Sequence, residues 1–475
     1  MGATMLAQLW LLLPELLLTG GAVLGLLLGS YLPRRRQWLV RALAFSICAA
    51  GVVAAVAFWG EHATVFEGAY ALDVATATVR VVVLGSVALV LALATPGVRG
   101  DRRETEFVVL LLLGALGAVV LAGANDLLLL AAAYLLASVP LYALTAFAKD
   151  APGTEAAMKY YLMGALLGVT MLFGLTVLLG LGRSTAYPLL ARTLPGSATA
   201  ALATGAVLLL AGPLFKAGAV PAHFWVPDVA EGAKPSVAAL VTTIPKLGAI
   251  VAVYRFVAEP LAATGVDWRM LLAVLATATM TLANLAAFFQ DNVRRLLGYS
   301  TISQVGYLLM AVAAAGTALA LPSLLLYLVA YAVTNLGAFA VVAAVPAART
   351  VGDYRGLARS RPLLALSLVV CLLGLVGTPP TGVFAGKLAV FTAAFEAGLG
   401  WLVVVAVVNT VASLFYYLRW IAPAVRGDGT GGGFNSPVAA WPSVTAYVAA
   451  AGSLALGPLA GLVLAAVSAD PSPLS

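Results

Sequence analysis

The sequence has few charged side chains: only 9% of its 475 residues are Asp, Glu, Lys or Arg. A soluble domain carries roughly 25% of these residues. With 63% hydrophobic residues, the chain has too few polar side chains to form the surface of a soluble globular enzyme. The same composition excludes a disordered or fibrous chain. We therefore expect an integral membrane protein.

Cysteine and histidine are almost absent as well. Cys48 and Cys371 each lie in an apolar run, and their spacing predicts neither a disulfide framework nor a metal site. The two histidines, His62 and His223, are too few and too far apart for a haem or zinc site.

Lysine is the third scarce residue, because only six of the 26 basic residues are lysines. Three of them, Lys216, Lys246 and Lys387, lie inside apolar runs, where a lysine costs at least about 2.5–3.5 kcal/mol. Burial favours the neutral amine, so such a lysine can exchange a proton near neutral pH, whereas arginine stays charged. The chain uses arginine at most basic positions, so the lysines at these three positions indicate side chains that gain and lose a proton. The alternative is snorkelling, in which the amine reaches the membrane interface.

Apolar runs of about 20 residues recur along the whole chain and predict an all-α, polytopic membrane protein with about 14 transmembrane helices. The predicted spans cover 8–30, 39–59, 75–96, 106–122, 126–147, 159–182, 200–220, 236–257, 270–289, 298–316, 321–345, 363–395, 400–421 and 441–466.

Two of these spans contain helix breakers. The span over 363–395 includes Gly377, Pro379 and Pro380, and the span over 200–220 includes Pro213 and ends at Pro221. We expect both helices to be broken within the membrane. Such a break is tolerated only where it is buried in protein or lines a hydrated cavity.

Charge in the connecting loops predicts the orientation. Loops on one side are rich in arginine, as at 34–36, 99–103 and 349–361, and loops on the other side carry more acidic residues. The positive-inside rule places the arginine-rich side in the cytoplasm, so both termini would face outward. The first residues lack the basic region with which a cleavable signal peptide begins. We therefore expect the first apolar run to be a transmembrane helix that is not cleaved off.

Other polar residues in or near the spans are candidates for a proton path. His223 follows Lys216 by seven residues and could pass protons between a buried lysine and water, or cap a helix end. Asp228, Glu231 and Lys234 form either the cytoplasmic mouth of the same segment or a solvated loop. A further set could hold a water chain or simply hydrogen-bond neighbouring helices: Asn284, Tyr299, Ser300, Gln304, Tyr307, Tyr331 and Asn335.

Seven sequence blocks, in order over nearly the whole chain, resemble one family. They are LLLPELLLTGGAVL, EAAMKYYLMGA, FKAGAVPAHFWVPDVAEG, IPKLGAI, NVRRLLGYSTISQVGYLL, AYAVTNLGAFAVV and GTPPTGVFAGK. These blocks resemble subunit N of bacterial respiratory complex I, the NADH–quinone oxidoreductase, which is one of its antiporter-like proton-channel subunits.

The resemblance implies two inverted five-helix repeats, each with a broken helix, in one antiporter-like domain over 1–475. We divide this domain into helices 1–4 (1–122), a first repeat region (123–258), a second (259–421), and a loop with the last helix (422–475). Lys216 and Lys387 match the lysines of the two broken helices, and Lys246 matches the central lysine.

The resemblance also implies where the chain works. Protons would cross the bacterial cell membrane, driven by quinone reduction elsewhere in the complex. The partners would be other membrane subunits, including sister antiporter-like ones, and the lipid bilayer, with no nucleic acid. The chain itself would bind no cofactor, because NADH, quinone, FMN and the iron–sulfur clusters would belong to the rest of the complex.

One position departs from the family pattern. The family has a glutamate in the fifth helix that pairs with the first-repeat lysine, and the ungapped alignment places Leu135 there. A nearby anion stabilises a charged lysine, so the control of Lys216 is open. The alternatives are a stand-alone cation/proton antiporter and a structural paralogue in a reduced complex that no longer pumps.

Overall fold

The computed structural model describes residues 8–426 and 439–468, and most of this part of the chain is helical. The first half contains eleven helices: α1 (Leu13–Tyr31), α2 (Trp38–Ala57), α3 (Val74–Val98), α4 (Glu104–Gly123), α5 (Leu127–Leu136), α6 (Val139–Thr145), α7 (Ala151–Gly182), α8 (Tyr187–Thr193), α9 (Thr199–Ala217), α10 (Trp225–Gly232) and α11 (Pro235–Ala258).

The second half continues in the same way, and two short 3-10 turns complete the set at Arg34–Arg36 and Val351–Tyr354. Its helices are α12 (Trp268–Ala287), α13 (Val293–Ala313), α14 (Ala320–Ala344), α15 (Leu357–Ser360), α16 (Pro362–Val376), α17 (Gly382–Glu396), α18 (Gly400–Arg426), α19 (Ala440–Ala455) and α20 (Ala460–Ser468).

The fourteen predicted spans all correspond to helical segments. Within the described ranges, twelve segments are long and apolar enough to cross a membrane, and α19 with α20, bent by 75°, makes a thirteenth. The remaining predicted span is the pair α16 and α17, separated by residues 377–381. The all-α membrane fold is confirmed. Most of the predicted loop over 422–440 lies outside the described residues.

Two local features differ from what the sequence led us to expect. Residues 60–72, which lie between two predicted spans, contain an antiparallel hairpin of β1 (Ala63–Val65) and β2 (Tyr70–Leu72) that was not predicted. Three-residue strands are too short to show a periodic sequence pattern. The span over 126–147, expected to be one helix, is interrupted between α5 and α6 at Ala137 and Ser138, just before Pro140, which has no N–H to continue the ladder.

Helix α11 is the centre of the molecule. It is buried on all sides and packs against α3, α4, α9, α13 and α14. A helix that is apolar all around belongs in the interior of a bundle. Lys246 lies near the middle of this helix and is fully buried.

A buried ion pair holds one end of α11. The Arg255 guanidinium donates to Asp73 Oδ1 at 2.6 Å, to Thr76 Oγ1 at 2.9 Å and to the Ala122 carbonyl at 2.6 Å. Asp73 also caps α3 by accepting from the Thr76 N–H at 3.0 Å. The pair therefore ties α11 to both α3 and α4.

We expect Asp73→Ala to destabilise the protein strongly. The change leaves the Arg255 guanidinium, which is 1% exposed, without its counterion, and breaking a buried pair in this way costs about 3–5 kcal/mol. The matched control is Asp267→Ala. Asp267 caps α12 in the same way, by accepting from the Met270 N–H at 3.0 Å, but is exposed.

Losing the cap alone costs about 1 kcal/mol. Thermal unfolding in detergent should therefore show a much larger drop in the unfolding temperature for Asp73→Ala than for Asp267→Ala. Equal drops would mean that only the helix cap matters.

Candidate functional site: a row of buried lysines

All three lysines singled out in the sequence are buried. Lys216 and Lys246 are 0% exposed and Lys387 is 3% exposed. Lys216 lies in the last turn of α9, Lys246 in the middle of α11 and Lys387 in the second turn of α17. The amines bond to groups inside the bundle, so the snorkelling alternative does not describe them.

The two broken helices end in the same way. At the end of α9, Gly218 adopts φ +81°, and the N–H groups of Gly218 and Ala219 both bond back to the Leu214 carbonyl. At the end of α16, Gly377 adopts φ +88°, and the N–H groups of Gly377 and Thr378 both bond back to Leu373. Glycine adopts this left-handed conformation without a steric penalty and stops the helix.

Each break leaves a carbonyl at a helix C-terminus that accepts from a lysine. Lys246 Nζ donates to the carbonyl of Ala217, the last residue of α9, at 2.5 Å. Lys387 Nζ donates to the carbonyl of Val376, the last residue of α16, at 2.9 Å. The C-terminus of a helix carries a partial negative charge, which favours a cation.

The expected break near residue 213 lies elsewhere. Pro213 is inside the continuous helix α9, and the helix ends at Gly218. Proline removes one hydrogen bond, but a buried helix can bend around that loss, whereas the left-handed glycine turns the chain away.

Within residues 8–426 and 439–468, no carboxylate bonds to Lys216. Its Nζ donates to the Ala137 carbonyl and to the Tyr160 hydroxyl, both at 3.3 Å. Four aromatic rings surround the amine, with centroids at 5.2–5.7 Å: Tyr134, Tyr142, Tyr160 and Phe215. Cations are attracted to aromatic ring faces at such distances.

The break between α5 and α6 creates this environment. The Ala137 carbonyl is free for Lys216 because the Leu141 N–H bonds to Ser138 instead. Leu135, where the family pattern has glutamate, is 53% exposed. The cage was not predicted, because its three tyrosines lie in apolar runs on three helical segments and no sequence spacing relates all three.

Lys387 also has an aromatic neighbour. Its Nζ lies 3.9 Å from the centroid of the Tyr307 ring and 3.4 Å from Thr410 Oγ1. The Tyr307 hydroxyl bonds to the same threonine at 3.0 Å. A carbonyl, a hydroxyl and a ring face together surround this amine, and no carboxylate in the described part of the chain bonds to it.

Buried polar side chains extend from α11 towards Lys387. The Asn335 amide donates to Thr243 Oγ1 at 2.9 Å and to Thr242 Oγ1 at 3.2 Å. Thr301 connects to Asn335 at 3.4 Å and to the Tyr331 hydroxyl at 3.2 Å. Four of the polar residues noted in the sequence thus lie in the polar region between α11 and Lys387: Asn335, Tyr331, Gln304 and Tyr307.

One turn after Thr301 on α13, Gln304 continues this polar region. The Gln304 amide donates to the Leu375 carbonyl at 2.9 Å, next to the Val376 carbonyl that binds Lys387. Tyr327 donates to the Gln304 side-chain oxygen. Asn284 bonds instead to Asn409 and Tyr416, and Ser300 to Tyr417, beside this region. Tyr299 is half-buried.

His223 lies in the turn between α9 and α10 and is half-buried. Among the described residues it forms no hydrogen bond with any of the three lysines, and its buried Nδ1 has no protein partner. The turn ends the helical register, so the seven-residue spacing from Lys216 does not place both side chains on one face.

An ionic cluster lies in a cleft of about 610 Å³ beside α10. Asp228 pairs with Lys159 at 3.0 Å and with Arg295 at 2.7 Å, and Glu231 pairs with Arg295 at 3.1 Å. These residues therefore form an ordered cluster on helices α7, α10 and α13. Tyr160, next to Lys159, stacks on Trp225 at 4.1 Å and bonds to Lys216.

Residues 124–413, which contain the three buried lysines, match the family described as NADH:quinone oxidoreductase/Mrp antiporter, TM. The chain is 55% identical to NADH-quinone oxidoreductase subunit N 1 of Streptomyces griseus, over 97% of this chain and 98% of that one. It is 51% identical to subunit N of a Mycobacterium species, over 95% and 97% of the two chains.

A solved structure has the same fold. A chain of respiratory complex I from Thermus thermophilus, solved with bound aureothin, is 32% identical, covers 96% of this chain and 100% of its own length, and superposes with a TM-score of 0.83. The chain thus belongs to the subunit N family of the NADH-quinone oxidoreductases.

Proposed function

We propose that this chain carries protons across the membrane through Lys216, Lys246 and Lys387, as a membrane subunit of a complex I-like NADH–quinone oxidoreductase. One observation carries the proposal: two lysines buried in the bundle bond to carbonyls that the broken helices α9 and α16 leave free. Polar side chains on α11, α13 and α14 lie between them.

The chemistry of the acceptors suits proton transfer. An ammonium has three N–H groups, and the neutral amine still has two. A backbone carbonyl can accept from either form, so each lysine keeps its place when it gains or loses a proton. A carboxylate partner would instead favour the charged form strongly.

The entry and the route follow from the same contacts. Protons would enter at the ionic cluster of Asp228 and Glu231, pass the stacked pair of Tyr160 and Trp225, and reach Lys216. Hydroxyl and amide groups around Asn335 can hold water molecules between Lys246 and Lys387. His223 would pass protons between a buried lysine and water, since its Nδ1 has no protein partner among the described residues and can bond a water molecule.

The remaining assignments are part of the same proposal. Quinone reduction on other subunits would supply the energy, and NADH, FMN and the iron–sulfur clusters would bind there. Sister antiporter-like subunits would flank this one in the bacterial cell membrane. With an even number of spans both termini would lie on one side of the membrane. The arginine-rich loops lie on the opposite side, which would face the cytoplasm, so both termini would face outward. The two broken helices support the division into repeat regions 123–258 and 259–421.

One structural observation favours a second candidate, a subunit that no longer pumps. Lys216 lacks the carboxylate of the family pattern, and Leu135 faces outward. The aromatic cage argues against this candidate, because it offers the ammonium a different stabilising environment. The two experiments that follow separate the candidates.

We expect Lys246→Met to lower the number of protons pumped per NADH oxidised while the complex still assembles. Methionine fills the same space but cannot carry a proton. Pumping is measured with a pH-sensitive dye in vesicles that contain the complex. Lys149→Met, at an exposed lysine in a loop, is the control and should leave the ratio unchanged. An unchanged ratio in Lys246→Met would refute the proposed route.

The role of the cage is tested at Tyr142, whose ring centroid is 5.5 Å from Lys216 Nζ. A ring contact contributes about 0.5–2 kcal/mol to a nearby cation, so Tyr142→Leu should reduce pumping by roughly 2- to 30-fold. Tyr142→Phe keeps the ring and should retain most of the activity. If both variants lose the same activity, the hydroxyl matters and the ring does not.

A further inference from the structure

A second basic site lies far from the lysine row, where three separate parts of the chain meet. A cleft of about 500 Å³ opens between the α1–α2 turn, the α3–α4 turn and the start of α19. Arg34, Arg35, Arg41 and Arg99 line it together with Trp38 and Trp441. Segments distant in sequence thus bring four guanidinium groups to one place.

Only one of these arginines is neutralised. Arg41 pairs with Glu104 at 2.5 Å, and the same buried carboxylate accepts from the Gly100 N–H at 2.9 Å. Arg34, Arg35 and Arg99 are exposed and have no acidic partner within residues 8–426 and 439–468. The cleft therefore presents three uncompensated positive charges.

The walls of the cleft are aromatic. Trp38 is 50% exposed and Trp441 is 53% exposed, and both lie in the first turn of their helices. Phe45, two turns further along α2, continues the apolar wall towards the interior of the membrane. Tryptophan at a helix end is typical of the level of the lipid headgroups.

We propose that this cleft binds an anionic diacyl phospholipid of the inner leaflet. Its phosphate would lie among Arg34, Arg35 and Arg99, and an acyl chain would lie along Phe45 and Trp441. Basic pockets between transmembrane helices on the cytoplasmic side suit such headgroups. The aromatic side chains in the lining favour a lipid over a free phosphate ion, which has no apolar part to bury.

The test uses the purified full-length chain in a non-ionic detergent, with dioleoyl phosphatidylglycerol as the probe and native mass spectrometry as the measurement. We expect one tightly held phosphatidylglycerol and no comparable binding of phosphatidylcholine. The test variant combines Arg34→Gln, Arg35→Gln and Arg99→Gln. A basic residue near the site contributes about 1 kcal/mol, so this variant should bind on the order of a hundredfold more weakly.

The matched control removes the same charge from the same side of the membrane. It combines Arg355→Gln, Arg361→Gln and Arg426→Gln, which are exposed residues outside the cleft. This variant should bind phosphatidylglycerol nearly as well as the parent chain. An equal loss in both triple variants would overturn the proposal, because the attraction would then be unspecific.

Two further measurements keep the test decisive. If the triple variant does not fold, Arg99→Gln alone should weaken binding by about fivefold, since Arg102 and Arg103 still mark this loop as cytoplasmic. Brominated phosphatidylglycerol should quench tryptophan fluorescence more strongly than brominated phosphatidylcholine. Full displacement of the lipid by excess inorganic phosphate would show a free-anion site and would refute a lipid site.

Discussion

The whole arrangement depends on the need to satisfy backbone carbonyls inside a membrane. A carbonyl without a partner in hydrocarbon costs several kcal/mol, and a broken helix exposes several of them. Here the ends of α9 and α16 meet lysine amines from α11 and α17. The amine gives the free carbonyl a hydrogen-bond donor, and the carbonyl gives the buried amine the acceptor that it needs.

This pairing explains why the centre of the bundle holds cations with few anions. Lys216, Lys246 and Lys387 bond to carbonyls and hydroxyls and, in two cases, lie over aromatic rings. Such partners stabilise an ammonium less than a carboxylate does. Carbonyl and hydroxyl acceptors can bond to a lysine amine in either of its protonation states. The ion pair of Arg255 with Asp73, by contrast, ties helix α11 to its neighbours.

Much of the fold could be predicted from the sequence. Lipid requires runs of about 20 apolar residues, and these runs are visible without any partner. The burial of the three lysines was predicted on the same grounds. The β-hairpin at 63–72 and the break at Ala137 were not, because short strands and single interrupted turns leave no periodic signal.

The aromatic cage shows the limit most clearly. Tyr134, Tyr142 and Tyr160 come from three helical segments, α5, α6 and α7, and no spacing in the sequence predicts that their rings surround one amine. The same holds for the cleft of Arg34, Arg35 and Arg99, where the α1–α2 and α3–α4 turns meet.

The sequence by itself determined that this is a membrane protein, where its spans run, which lysines are buried and which family it resembles. These properties depend on composition and on local order along the chain. Only the tertiary structure decided which atoms accept from each lysine, because each of the three bonds to a backbone carbonyl. Every residue has such a carbonyl, and only the packing of the helices determines which ones are left free.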